Sequence, residues 1–590
     1  MVPINAKNRK KAANARRPPV TAALGWFWLL LLLAIMPLFI SCETTAPPSR
    51  ASAGAPVETA TFEEALAKYQ AGDYTNAVVA LDRVIKLDPT NALAYEKRGA
   101  AKIELEDYPG AMADFDRAIG LSQTSKIAFF NRGWLKEKAK DLSGALADLS
   151  KAIELDPRYA QPYNTRGDVN KLQGDLQAAL ADFSKAVELD AAFAVAYGNR
   201  GNAKGALGDF KGAIEDYTKV IELDPKSGLA YQNRAYARQI TGDIQGAIAD
   251  YSEAIKLDRR NPLIYSFRGN ARHASGDDAG AVADYTFATG LEPANANYYY
   301  NRGFALGALG DYEAAAADFS KAIGLSPAFD EAYLRRGAAQ MGLRQYEAAE
   351  ADFSKAIELS ATNAAAYLNR GLSRARLGNY EGAVADFGGA ISLEPKLAEA
   401  WNYRGDARSI LGDYNTAVTD LTNAVALKPE YAEAWFNLGI AQNNLFDFRN
   451  ALSSFRRAIQ IDSSIESAWL RVWVLRALLG EREQATTELA LHVRSVHTAS
   501  ADEFLFQIGR FLVGELKEEQ FLRSAWLPGK SPEEEKLKLC RANYYAGMTR
   551  LLDGDRAGAK VLLQKCLDSG QKDCEDFGSA AVLLESLKKL

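Results

Sequence analysis

Residues 72–77 read Gly-Asp-Tyr-Thr-Asn-Ala, and the same framework returns every 34 residues, thirteen times, without an insertion or deletion. Its last residue is alanine in every copy, from Ala77, Ala111 and Ala145 to Ala451 and Ala485. A fixed period of this length marks a stack of short supersecondary units. The invariant methyl marks a place where two helices approach too closely for anything larger, because overpacking there costs about 1–3 kcal/mol.

Outward from that alanine the pattern fills two helices. An aromatic stands in the fourth position of twelve copies, from Tyr95 and Phe129 to Trp401, Trp435 and Trp469, and four residues later comes Gly in ten of them. A bulky residue follows the alanine by four, as at Phe115, Phe183 and Phe319. These spacings give each helix one apolar face. Gly-Asp pairs such as Gly208-Asp209 end the first helix in a left-handed residue and offer a carboxylate to cap the second. Leu-Asp-Pro, as at Leu155-Asp156-Pro157, stops the second, since proline has no donor and restricts its predecessor. Neither helix buries its apolar face alone, so neighbours must stack. The predicted fold is all-α, a superhelical α-solenoid of about thirteen helix-turn-helix units with a helical C-terminal cap.

Period and pattern together resemble the tetratricopeptide repeat family, over residues 58–499. One position departs from it. Before the glycine the family usually has Leu, whereas here stands Arg in ten successive copies, from Arg98 through Arg302 and Arg336 to Arg404. Sixteen residues beyond each lies an Asp, from Asp114 through Asp318 and Asp352 to Asp420. The same three copies lack both, reading Glu64, Leu438 and Val472 at the first position and Ala80, Ser454 and Glu488 at the second. Their joint loss predicts an ion-pair ladder linking the two helices of a repeat. A ligand-binding row of arginines is the alternative.

The resemblance also implies a groove lined by the position two after the aromatic. That position is Asn131, Asn199, Asn233, Asn301, Asn369 and Asn437 in six copies. An amide donates to and accepts from one peptide group, so such a row suits an extended chain. A solvated helix face is the plain alternative. Trp134, Tyr236, Phe267, Tyr300, Phe304, Tyr403 and Phe436 are candidate anchors around it. Aromatics in such places are either interface hot spots or packing against the next repeat.

Residues 1–41 read as a signal peptide. Six basic residues from Lys7 to Arg17 precede an apolar run from Leu24 to Ile40, followed by Ser41-Cys42. This resembles a bacterial lipoprotein signal, with Cys42 the lipidated residue, although Phe39 stands where Leu is preferred. An uncleaved inner-membrane anchor is the alternative, seventeen apolar residues lying at the lower limit for a span. Either way the repeats lie outside the cytoplasm. Glu43 after the cysteine implies an outer-membrane lipoprotein facing the periplasm, tethered through the Pro-, Ser- and Ala-rich residues 42–57. Cleavage leaves 64 basic against 75 acidic residues, a net charge of −11 that disfavours nucleic acid as a partner.

Residues 500–590 break the register, with irregular helices around Phe504, Phe511, Phe521 and Trp526 and one further repeat-like unit from Cys540 to Asp573. Among Cys540, Cys566 and Cys574 one disulfide or three thiols are open readings. This tail resembles those of envelope tetratricopeptide lipoproteins that act as adaptors. His273, His492 and His497 are the only histidines and no nucleophile triad, metal-ligand spacing or phosphate-binding loop accompanies them. No cofactor is expected. The sequence therefore predicts a non-enzymatic scaffold anchored to the cell envelope that holds peptide segments of other envelope proteins. An enzyme seated in the tail and a self-associating structural protein are the alternatives.

Overall fold

The computed structural model describes residues 56–495 and 503–589, and among these every element is a helix, thirty-one in all. The signal segment 1–41, Cys42, the tether up to residue 55, and residues 496–499 with His497 lie outside the described residues. No helix among the described residues is long and apolar enough to cross a membrane.

The chain divides into two compact units. The first, ending at Gln123, contains two helix pairs, α1 (Pro56–Gln70) with α2 (Tyr74–Leu87) and α3 (Ala92–Glu104) with α4 (Tyr108–Leu121). Ala65, Leu81, Val84 and Ala94 form its core. The second begins at Thr124 and contains eleven further pairs, from α5 (Lys126–Lys138) and α6 (Leu142–Leu155) to α25 (Glu466–Leu478) and α26 (Arg482–Ser495). Five more helices follow.

Each turn is built as its residues dictate. Gly208 has φ +87°, and the Asp209 carboxylate accepts a hydrogen bond from the Gly212 amide at 2.9 Å, capping the next helix. Four turns carry a side chain in the left-handed conformation instead, at Glu106, Lys140, Arg344 and Phe446. The thirteen alanines are all 0–2% exposed. Close approach also explains the repeated glycine of the first helix. A Cβ on Gly371 would sit 2.6 Å from the Phe387 ring. One repeat places Ala235 at this position, opposite the buried Tyr251.

The tail comprises α27 (Glu503–Leu512), α28 (Glu518–Ser524), α29 (Pro532–Leu552), α30 (Arg556–Asp568) and α31 (Glu575–Lys589). Phe504, Ile508, Phe521, Tyr545 and Leu563 join Leu470 and Trp473 of α25 in one core. The α29–α30 pair repeats the logic of the array, with Asp555 capping and Ala559 fully buried. Cys540 and Cys566 bring their Sγ atoms to 2.8 Å, and the three cysteines of the tail, Cys574 included, are buried thiols. Helix α31 packs on α29 and α30 and also reaches α21 (Ala398–Ile410) and α23 (Ala432–Asn444), the first helices of the eleventh and twelfth repeats.

Candidate interaction surface

The arginines identified in the sequence are held inside the stack. On α15 (Ala296–Leu309), Arg302 donates from Nε to Asp318 Oδ2 at 2.7 Å and from Nη2 to Oδ1 at 2.8 Å. Arg336 grips Asp352 in the same fork, at 2.7 and 2.6 Å. The other eight pairs, from Arg98–Asp114 to Arg404–Asp420, repeat this geometry. All ten aspartates are 1–7% exposed. The hydrogen bond that Arg302 donates to Asp318 holds the arginine's pKa above its ordinary value. Each guanidinium also lies over the aromatic three residues earlier, as Arg302 over Tyr299 at 5.6 Å.

A third contact escapes sequence reading. In six of the ten ladder arginines Nη1 reaches back sixteen residues to a hydroxyl of the preceding repeat, as Arg166 to Ser150 at 3.1 Å, Arg268 to Ser252 at 3.0 Å, Arg336 to Ser320 at 3.0 Å and Arg370 to Ser354 at 3.2 Å. The fork joins the helices of one repeat, and this bond joins successive repeats. With its donors engaged in both directions, the arginine has little left to offer a ligand.

The asparagine row divides. Asn199 is 1% exposed and donates to Asn164 Oδ1 at 3.0 Å and Asp168 Oδ2 at 3.1 Å. Asn233 donates to Asn202 at 3.2 Å, and Asn437 to Asn402 at 3.1 Å. These three tie adjacent repeats, with partners that the sequence alone does not single out. Burial raises the Asp168 pKa, while Lys171 and the Asn199 amide act against the shift. Asn131, Asn301 and Asn369 are half-buried, and Asn369 donates to Ala365 O in its own helix at 2.9 Å.

The candidate anchors also have intramolecular neighbours. Tyr300 sits 4.9 Å from Phe329 and 5.7 Å from Phe319, Phe267 stacks on Tyr251 at 6.0 Å, and Phe436 lies 5.4 Å from Phe455. Tyr403 packs on Phe387, and Tyr236 meets Phe210 edge to face. Phe304 is bounded by His273 and the Arg335 guanidinium, and Trp134 by the Lys138 ammonium.

In the thirteenth repeat the position of the asparagine row is Arg471, and the chain's own tail occupies it. Arg471 is 1% exposed and donates to Asp576 at 2.6 Å, to the Tyr544 hydroxyl at 2.8 Å and to Ser579 at 3.2 Å. One repeat earlier, Ser579 donates to Asn444 Oδ1 at 2.9 Å. At the base of α31, Asp573 accepts a hydrogen bond from Tyr380. A helix of this chain is thus seated on the first-helix face of its last repeats.

Tandem helix pairs stitched by forked ion pairs define an all-α repeat protein of the solenoid class. More particularly, the chain carries tetratricopeptide repeats. Models described as tetratricopeptide repeat or TPR repeat match residues 65–105, 160–193, 194–227, 240–276, 269–310, 296–329, 334–391, 368–408, 405–445 and 432–465. No curated protein matches the chain. Among solved structures, MamA is 27% identical over 28% of this chain and 96% of its own, with a TM-score of 0.27. YrrB, described as a TPR protein with an unusual peptide-binding site, is 24% identical over 32% of this chain and 96% of its own, with a TM-score of 0.29. A tetratricopeptide repeat protein from Parabacteroides merdae ATCC 43184 is 23% identical over 42% of this chain and 98% of its own, with a TM-score of 0.34.

Proposed function

We propose that this protein is a scaffold of the bacterial cell envelope, anchored through a lipid on Cys42, whose first-helix face holds segments of partner proteins without turning them over. The observation that carries the reading is the seat of α31. Arg471 and Asn444 bind Asp576 and Ser579 through a buried set of polar groups. A face that accommodates one helical segment of its own chain has the depth and the donors for another. Upstream, Asn131, Asn301 and Asn369 make no bond to an adjacent repeat's asparagine and are the amides best placed for a partner. Acidic balance favours basic or neutral segments.

Affinity purification from envelope extract with the mature chain, beside a variant carrying Asn131, Asn301 and Asn369 as Ala, tests the groove. A defined set of proteins retained by the first and lost by the second is expected; identical retention refutes the assignment of those amides. Incorporation of labelled fatty acid, lost in Cys42→Ala, tests the anchor. Incorporation that persists in that variant refutes lipidation at Cys42.

A further inference from the structure

The twelfth repeat breaks the ladder, and the break opens a second kind of surface. Leu438 replaces the arginine that elsewhere covers the aromatic, so no guanidinium lies over Trp435, in contrast to Arg404 over Trp401 at 4.9 Å. Val472 likewise leaves the preceding repeat's hydroxyl position without an arginine to meet. That position, Ser or Thr at Ser150, Thr218, Ser252, Ser320 and Ser354, is Arg456 here. Together with Arg449 and Arg457 it puts three guanidiniums on α24 (Phe448–Ile461).

Trp435, Arg449, Ser453, Arg456, Arg457 and Gln460 line an open depression of ≈ 480 Å³. Arg457 donates to Glu430 at 2.8 Å, while Arg449 and Arg456 are exposed and make no ion pair among the described residues. In a chain of net charge −5 this is a local concentration of positive charge around a ring face. Guanidiniums fork onto carboxylates and phosphates, and an indole face takes the apolar face of a ring.

We propose that this depression binds an anionic sugar, its pyranose ring on Trp435 and its phosphate or carboxylate between Arg449 and Arg456. A peptide fits it less well, because its walls are side chains of two helices whose mid-helix amides and carbonyls are bonded within the helix.

Titration calorimetry on the mature chain tests this with glucose 6-phosphate and glucuronate, against glucose, inorganic phosphate and an acidic hexapeptide. The comparison variant is Arg449→Gln with Arg456→Ser, residues that other repeats carry in the same register at Gln245 and Ser252. Glucose 6-phosphate and glucuronate are expected to bind more tightly than glucose or phosphate, and the variant to lose affinity by about tenfold or more. Phosphate binding as tightly as the sugar phosphate, the hexapeptide binding more tightly than either sugar, undiminished binding by the variant, or no binding of any probe would each overturn the proposal.

Discussion

Arg302 forks onto Asp318 at 2.7 and 2.8 Å while its third nitrogen reaches Thr286 of the preceding repeat at 3.3 Å. Removing the carboxylate strands a largely buried guanidinium. Asp318→Ala should therefore destabilise by about 3 kcal/mol, and Arg302→Leu in the same chain should restore much of it. Urea unfolding of the two single variants and the double variant measures the coupling. Purely additive losses would remove the ladder as a stabilising unit.

Lys140 is exposed and holds φ +62° in a turn where most repeats have Gly. A left-handed residue with a side chain costs roughly 1–2 kcal/mol, partly offset by the greater freedom of an unfolded glycine. Lys140→Gly should stabilise by up to about 1 kcal/mol, seen as a higher urea midpoint. Gly208→Ala, at φ +87°, should do the reverse.

Asp406 on α21 meets Glu433 of α23 and Asp573 and Glu575 of the tail, with Arg376 as counter-charge. Burial, and then these carboxylates, push its pKa from 3.8 to about 7. With the tail seated, the group stays protonated toward neutrality; with the tail released, Glu575 and Asp573 no longer act on it and it ionises at lower pH. Seating is thus favoured at low pH, and the contribution is lost as pH rises through about 7. Proteolysis within residues 571–589 should quicken from about pH 5 to about pH 8 in the native chain and stay slow in Asp406→Asn. An unchanged profile in the variant would count against Asp406 as the switch.

Cys540 and Cys566 touch through sulfur, and Cys574, near Asp576, also interacts with Cys540. The hydrogen bond with Cys566 raises the Cys540 pKa, so the thiolate is scarce and the pair resists oxidation at neutral pH. Diamide above that range should join Cys540 to Cys566, and the closed loop should add about 3 kcal/mol of stability. Peptide mapping that finds Cys574 in the cross-link would show a different pairing.

How much of this was legible in the chain depends on what repeats. Caps, turns and the Arg–Asp forks follow the 34-residue period, and the terminal copies lose both charges together, so a pair could be inferred before any coordinates. Ser320 and Ser354 follow the same period, but a hydroxyl on a helix is too ordinary to announce that an arginine will find it. Asn199 looked like a groove amide because family register alone fixes its direction; which neighbour it meets depends on Asn164 and Asp168, residues without a period of their own. The seat of α31 was out of reach. It joins Tyr380 to Asp573 across 193 positions and Arg471 to Asp576 across 105, contacts that no repeat encodes.

Because five successive ladder arginines, Arg234 to Arg370, each bond backward to a hydroxyl sixteen residues earlier, these repeats are interchangeable bricks with matching faces. Excising residues 330–363 would bring Arg370 opposite Ser320, which now serves Arg336, and leave no unmatched rung. Inserting a copy would do the same in reverse. The length of the array can therefore change in whole units between Arg234 and Arg370 without redesign. That freedom ends at the last repeats, where Tyr380, Asn444 and Arg471 are keyed to one particular tail.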